Sequence, residues 1–251
     1  MDLHYEVHGS GDPIVMIHSP GVDMREWVFI VPHLAKTNQV VIFDGRGAGK
    51  SPSPSEPTDY VDDLLKLIDH LGLKKVTLVG HSMGGQIATD FTLTFPDKVR
   101  KLVLLAPSLT GYTYSSEFIQ WMQSVNAVAP DVKKLVELSL SGPNYRITMS
   151  SPHQDFLYDM TRHHMKKVFT EWENFEMTWP EPPAIERLHE IKVNTLFIQG
   201  DKEWKDMFRI AEHFQEVPSI RFTLIKDADH MVTLTHPEKI TNDIQLFLQD
   251  G

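Results

Sequence analysis

The chain has 251 residues, enough for one large or two small domains with a sizeable core. Its formal net charge of −10, with Lys and Arg scattered, leaves no basic face for nucleic-acid phosphates. With no cysteine, it has no disulfides, thiol nucleophiles or Cys-ligated metals. Met1-Asp2-Leu3-His4-Tyr5-Glu6 is amphipathic rather than a leader, and no apolar run is long enough for a bilayer. The expected partner is therefore a small molecule, with neither nucleic acid nor membrane, and the expected location is the cytoplasm.

Leu3 to Val7 alternates as an edge strand does, and Gly9-Ser10-Gly11-Asp12-Pro13 is expected to turn it, as a hairpin, into the apolar run Ile14 to Ile17. That buried strand ends in His18-Ser19-Pro20-Gly21, with Trp27 further on. Val40 to Phe43 is the next buried strand and empties into Asp44-Gly45-Arg46-Gly47-Ala48-Gly49-Lys50-Ser51. This nearly spells a phosphate-binding loop. It fails because Asp44 occupies the leading glycine position, and Pro52 and Pro54 prevent the helix whose N-terminus would hold the phosphate. From Thr58 the period becomes helical, with Val61, Leu64, Leu65, Ile68 and Leu71 on one face, Thr58 or Asp59 as cap and Gly72 as stop.

Val76 to Val79 then runs as a buried strand into Gly80-His81-Ser82-Met83-Gly84, and Gln86 to Phe95 reads as helix until Pro96. In this G-x-S-x-G turn between strand and helix the flanking side chains must be small, and Ser82 projects from the sheet edge. The N–H of Met83, at the helix start, would face an oxyanion formed at Ser82. Leu102 to Leu105 is another apolar run, and the alternation so far predicts a parallel sheet covered on both faces.

Between Ala106 and about Ile191 the alternation stops, and helix-like segments at 116–128, 132–140, 154–163 and 165–176 predict a helical cap. Its aromatics, among them Tyr112, Tyr114, Trp121, Trp172 and Trp179, would form an apolar lid over Ser82, with His18, Trp121 and Trp172 as candidate pocket residues. His163 and His164 are neighbours that point to different sides of a helix, and no H-E-x-x-H is present, so no metal is expected. Thr195 to Ile198 resumes the buried-strand pattern and leads to Gln199-Gly200-Asp201-Lys202-Glu203-Trp204. Phe222 to Ile225 leads to Lys226-Asp227-Ala228-Asp229-His230, and Pro237 opens a helix with Ile240, Ile244, Phe247 and Leu248 inward.

The Ser82 turn, the His18 loop, the D-x-R-G-x-G-x-S turn at Asp44 and the loops carrying Glu203 and His230 together resemble the α/β-hydrolase family. The resemblance covers essentially the whole chain. It implies a mostly parallel sheet flanked by helices, with a core at 1–108 and 186–251 and an inserted helical cap at 109–185. It also implies Ser82 as nucleophile, His230 as general base and an acid following the Thr195 strand. The family's G-x-x-D register lands on Glu203, with Asp201 as the competing carboxylate. The second oxyanion N–H usually lies two residues after the loop histidine, where this chain has Pro20, which has no N–H. The N–H of Ser19 or Gly21, or the Ser19 hydroxyl, would substitute. Asp229 and Thr235 replace the usual Gly and Glu around His230, and Asp229 is a candidate for raising its pKa.

The implied activity is cofactor-free cleavage of a small to medium apolar carboxylic ester or lactone through an acyl-enzyme. The loop from Ser19 to Asp23 with Trp27 also resembles that of enol-lactone hydrolases. Carbon–carbon hydrolysis, perhydrolysis and aminopeptidase action, with Glu171, Glu173 or Glu176 as an amine anchor, use the same triad. The reading of a different class is a non-catalytic ligand-binding or signalling protein with this fold.

Overall fold

The computed structural model describes residues 1–249. In chain order its elements are β1 (Tyr5–His8), β2 (Asp12–Ile17), α1 (Val31–Leu34), β3 (Asn38–Phe43), α2 (Tyr60–His70), β4 (Val76–His81), α3 (Met83–Thr94), β5 (Val99–Leu105), α4 (Ser116–Asn126), α5 (Val132–Leu140), α6 (Gln154–Glu171), β6 (Asn194–Gly200), α7 (Lys205–His213), β7 (Ile220–Ile225), α8 (Val232–Thr235) and α9 (Pro237–Gln249). The sheet order is β1-β3-β2-β4-β5-β6-β7, with β1 antiparallel and the other strands parallel. The expected hairpin between β1 and β2 does not form. β1 pairs with β3 instead, Tyr5 opposite Phe43, because a parallel sheet with buried strands leaves only its edge for an antiparallel strand.

Strand periodicity divides the core into two layers. Ile14 and Met16 face the layer of Trp27, Ile30 and Phe247, while Val15 and Ile17 face the layer of Leu64, Ile87 and Phe91. Each such side chain contributes roughly 1.5–3 kcal/mol by leaving water. Apolar spacing and capping explain α2: the Asp59 carboxylate accepts from the N–H groups of Val61 (3.0 Å) and Asp62 (2.9 Å), and Gly72 ends the turn at φ +65°. The chain crosses from β3 on one side of β2 to β4 on the other. Crevices at such a reversal open at the carboxyl ends of the strands, where the Ser82 turn lies.

The segment between β5 and β6 is helical, as expected, but the two helices predicted at 154–163 and 165–176 are one helix, α6, ending at Glu171. His163 and His164 continue the turn without a break, and Trp172 terminates it in an extended conformation. An apolar cluster of Val22, Val136, Leu140, Leu157, Met160 and Leu234 packs this insertion onto the carboxyl end of the sheet. The turn from Asp44 to Ser51 anchors it: Lys167 Nζ donates to the carbonyls of Gly49 (3.1 Å) and Ser51 (2.6 Å), and Trp172 Nε1 to Gly47 O (3.1 Å). Backbone acceptors that would repel a phosphate thus hold the cap-like helices. Among the described residues no helix is long and apolar enough to cross a membrane.

One buried carboxyl carries a stability prediction. Asp90 on α3 accepts a hydrogen bond from the Thr110 hydroxyl, yet burial pushes its pKa up from 3.8 to about 6. The folded state holds this proton more tightly than the unfolded chain. The group's contribution is therefore most favourable below pH 3.8 and worsens as pH rises to about 6. Asp90→Asn should raise the unfolding free energy from denaturant titration at pH 8 by an amount on the order of 2 kcal/mol, and the gain should vanish near pH 4. An equal gain at both pH values would refute the assignment.

Candidate active site

Ser82 lies between β4 and α3 at φ 54° and ψ −117°. A non-glycine residue in this region stores on the order of 1–3 kcal/mol of strain, which the surrounding contacts must hold. The Ser82 N–H donates to Leu105 O (2.9 Å), and its carbonyl accepts from Gln86 N (3.0 Å) and Ser108 N (3.0 Å). The backbone crowds the turn so closely that only glycine fits on either side. A Cβ on Gly80 would meet Gly84 O at 2.3 Å, and one on Gly84 would meet Ile17 O at 2.2 Å. Met83 is the first residue of α3, so its N–H belongs to the helix turn that has no intrahelical acceptor.

His230 and the carboxylates come from the loops after β7 and β6. His230 Nδ1 and Glu203 Oε1 are 2.8 Å apart, and the Glu203 side chain is fully buried. Asp201 points elsewhere, its Oδ2 3.0 Å from Lys202 Nζ. Burial works against protonation of His230. The charge and hydrogen bond of Glu203, supported by the charges of Glu26 and Asp229, outweigh it and raise the imidazole above its ordinary value of 6.5. Asp229 acts from a distance, because its oxygens accept from the N–H (2.8 Å) and hydroxyl (2.6 Å) of Thr148.

Asn144, which the sequence did not single out, ties these loops to the insertion. Its carbonyl accepts from His230 N (2.9 Å) and its side-chain oxygen from Trp204 Nε1 (3.0 Å). A lone asparagine in a polar stretch carries no local signal for this role.

The loop after β2 is organised by Glu26, also unforeseen. This fully buried carboxylate accepts from the N–H (2.7 Å) and hydroxyl (3.1 Å) of Ser19 and from the Thr233 hydroxyl (3.1 Å). It also pairs with His81 Nδ1, and the His81 ring lies 4.8 Å from that of His230. Burial opposes ionisation of Glu26, but His81 and the Ser19 N–H overcome it and hold its pKa below the ordinary carboxylate value. Both Ser19 donors considered for an oxyanion are thus committed to Glu26. Pro20 has no N–H, so of the substitutes named for this loop the Gly21 N–H, at φ +79°, is the one not bonded to Glu26.

Ser82, His230 and Glu203 line one cavity of about 320 Å³, together with Trp121, Tyr114, Phe118 and Trp204. His18 and Trp172 do not line it. They border an adjoining cavity of about 90 Å³, where His18 joins two backbone segments: Nδ1 donates to Ser19 O (2.7 Å) and Nε2 accepts from Gly45 N (2.9 Å). Pro20, Gly21 and His164 line both cavities. Of the other insertion aromatics, Phe169 and Phe175 are exposed.

A family profile described as alpha/beta hydrolase fold matches residues 12–237. The abhydrolase domain-containing protein abhd-5.2 of Caenorhabditis elegans is 28% identical, over 95% of this chain and 59% of that protein. The chain therefore spans about three-fifths of that relative's length. The (lyso)-N-acylphosphatidylethanolamine lipase of Homo sapiens is 26% identical, over 90% of this chain and 75% of the lipase. In fold, the chain is similar to the enol-lactonase of Burkholderia xenovorans LB400, with a TM-score of 0.78 and 21% identity over 99% of this chain and 96% of that one.

Proposed function

The chain belongs to the α/β-hydrolase fold family, and from this premise we propose that it is a hydrolase that cleaves a small to medium, largely apolar carboxylic ester or lactone. The observation that carries this reading is a strained serine opening onto the same mostly apolar cavity as a histidine whose Nδ1 is paired to a buried carboxylate 2.8 Å away.

In the proposed route, Ser82 Oγ attacks the carbonyl carbon as its proton passes to Nε2 of His230. Glu203 holds the ring through Nδ1 and stabilises the imidazolium. The N–H groups of Met83 and Gly21 receive the oxyanion. The imidazolium then protonates the leaving oxygen, and an acyl-enzyme remains on Ser82. Water, deprotonated by the same ring, releases the acid and restores Ser82. The helical insertion acts as a lid that supplies the apolar walls. No cofactor enters this sequence. Little supports an aminopeptidase: Glu171, one of its three candidate anchors, is exposed and bonded to Ser53 (2.9 Å).

Hydrolysis of p-nitrophenyl acetate and butyrate, with mass spectrometry after fluorophosphonate labelling, tests the proposal. Burst kinetics and one adduct on Ser82, both lost in Ser82→Ala, are expected. An unlabelled, inert Ser82 would bring the ligand-binding reading forward.

The pH dependence follows from the raised His230. The ring must be neutral to accept the serine proton, so a raised pKa keeps it protonated, and inactive, to higher pH. The acid limb of kcat/KM is therefore expected above the ordinary imidazole value of 6.5. A limb at or below that value would contradict the role given to Glu203.

A further inference from the structure

The paired histidines of α6 have separate fates. His163 is exposed, while His164 turns inward to the junction of the two cavities. Its ring stands edge-on to Trp172, with centroids 5.9 Å apart at 87°. Its Nδ1 is buried without a hydrogen-bond partner, an arrangement that costs free energy until something fills it. Burial is the main cause that lowers its pKa to about 4, with the charge of Lys167 adding to it and Asp23 opposing. At neutral pH the ring is uncharged and presents one donor and one acceptor.

The groups around His164 have other commitments. Both ring nitrogens of His18 are bonded, Lys167 binds the carbonyls of Gly49 and Ser51, and Asp23 accepts from Arg25 at 2.7 Å. Beyond His164 the smaller cavity is walled by Leu3, Ile17, Phe43, Ile87 and Met177. Arg46 also borders it, but its guanidinium is engaged by Asp63 (2.8 Å) and Asp2 (3.1 Å), so no free cation awaits a carboxylate at the chain end. Met83, the neighbour of Ser82, lines this cavity too, so the part of a substrate bonded to Ser82 is the part that reaches it.

We propose that His164 is a specificity-determining residue that hydrogen-bonds a neutral oxygen, carbonyl or hydroxyl, partway along an otherwise apolar acyl chain running from Ser82 into the smaller cavity. The preferred substrates are then oxoacyl or hydroxyacyl esters and the corresponding lactones, ahead of plain alkyl or carboxylate-ended esters. This inference rests on the ester-cleaving reading and names its substrate class.

The test compares p-nitrophenyl hexanoate with its 4-oxo and 5-oxo analogues in the wild type, His164→Phe and His164→Gln. The wild type should favour the better oxo ester by about tenfold or more in kcat/KM. His164→Phe should bring the ratio within about twofold of unity, while His164→Gln retains a preference. No preference in the wild type, or one that survives His164→Phe, overturns the inference. Failure of the ester reading is distinct: no ester is turned over and Ser82 takes no fluorophosphonate label. In that case ligand-observed NMR of 5-oxohexanamide and hexanamide decides the contact. Tighter binding of the oxo amide that is lost in His164→Phe supports it, and equal binding overturns it.

Discussion

Glu203→Gln is expected to lower kcat/KM by about 10³-fold, while Asp201→Asn changes it by less than about threefold. The difference follows from geometry. Glu203 Oε1 is 2.8 Å from His230 Nδ1 in a fully buried site, whereas Asp201 faces Lys202 at the surface. An amide at 203 presents no charge to the imidazolium and, in one rotamer, a donor to Nδ1, which favours the wrong tautomer. The acid limb of the pH profile should also move down, because the largest influence raising His230 is gone. Comparable losses in the two variants, or a larger loss at Asp201, would reject Glu203 as the acid.

Glu26→Ala should destabilise the protein by about 3–5 kcal/mol, a large share of the roughly 5–15 kcal/mol that holds a domain. Removing the carboxylate leaves His81 Nδ1, the Ser19 N–H and the Thr233 hydroxyl buried without their acceptor. Glu26→Gln keeps an acceptor oxygen in place and should cost about 1–2 kcal/mol. Because Ser19 leads into Pro20 and Gly21, the alanine variant should also lose ester turnover by about tenfold or more under conditions where it remains folded. Denaturant midpoints measured alongside turnover check both effects. An unfolding free energy within about 0.5 kcal/mol of wild type would show that Glu26 is not the anchor of this loop.

The strands, α2 and the Ser82 turn were legible because their causes are local. Val61, Leu64 and Ile68 declare a helix by spacing, and Gly80 and Gly84 flank Ser82 because backbone atoms lie just over 2 Å from where their Cβ atoms would be. The division of β2 into two core layers follows from a period of two. Other features had no local cause. β1 found β3 because the edge was there, and α6 ran through the point where a break was expected because nothing in His163-His164 interrupts a helix.

From the sequence alone came the fold class, the position of Ser82 on its turn, the order Ser82, acid, His230, and two carboxylates within two residues of each other as candidates for the acid. The alternation of strands and helices and the place of Ser82 on its turn depend on short-range backbone sterics and hydrophobic periodicity, which adjacent residues determine; the order Ser82, acid, His230 and the two candidate carboxylates are what the resemblance to the α/β-hydrolase family implied. Only the tertiary structure decided that Glu203 rather than Asp201 meets His230, that Glu26 captures both donors of Ser19, and that Asn144 joins two loops to the insertion. It likewise turned His164, with an unpaired nitrogen, to the junction of two cavities. A buried hydrogen bond goes to whichever acceptor packing brings within about 3 Å, and residues 7 to 86 positions apart in the chain are brought that close only by the folded core.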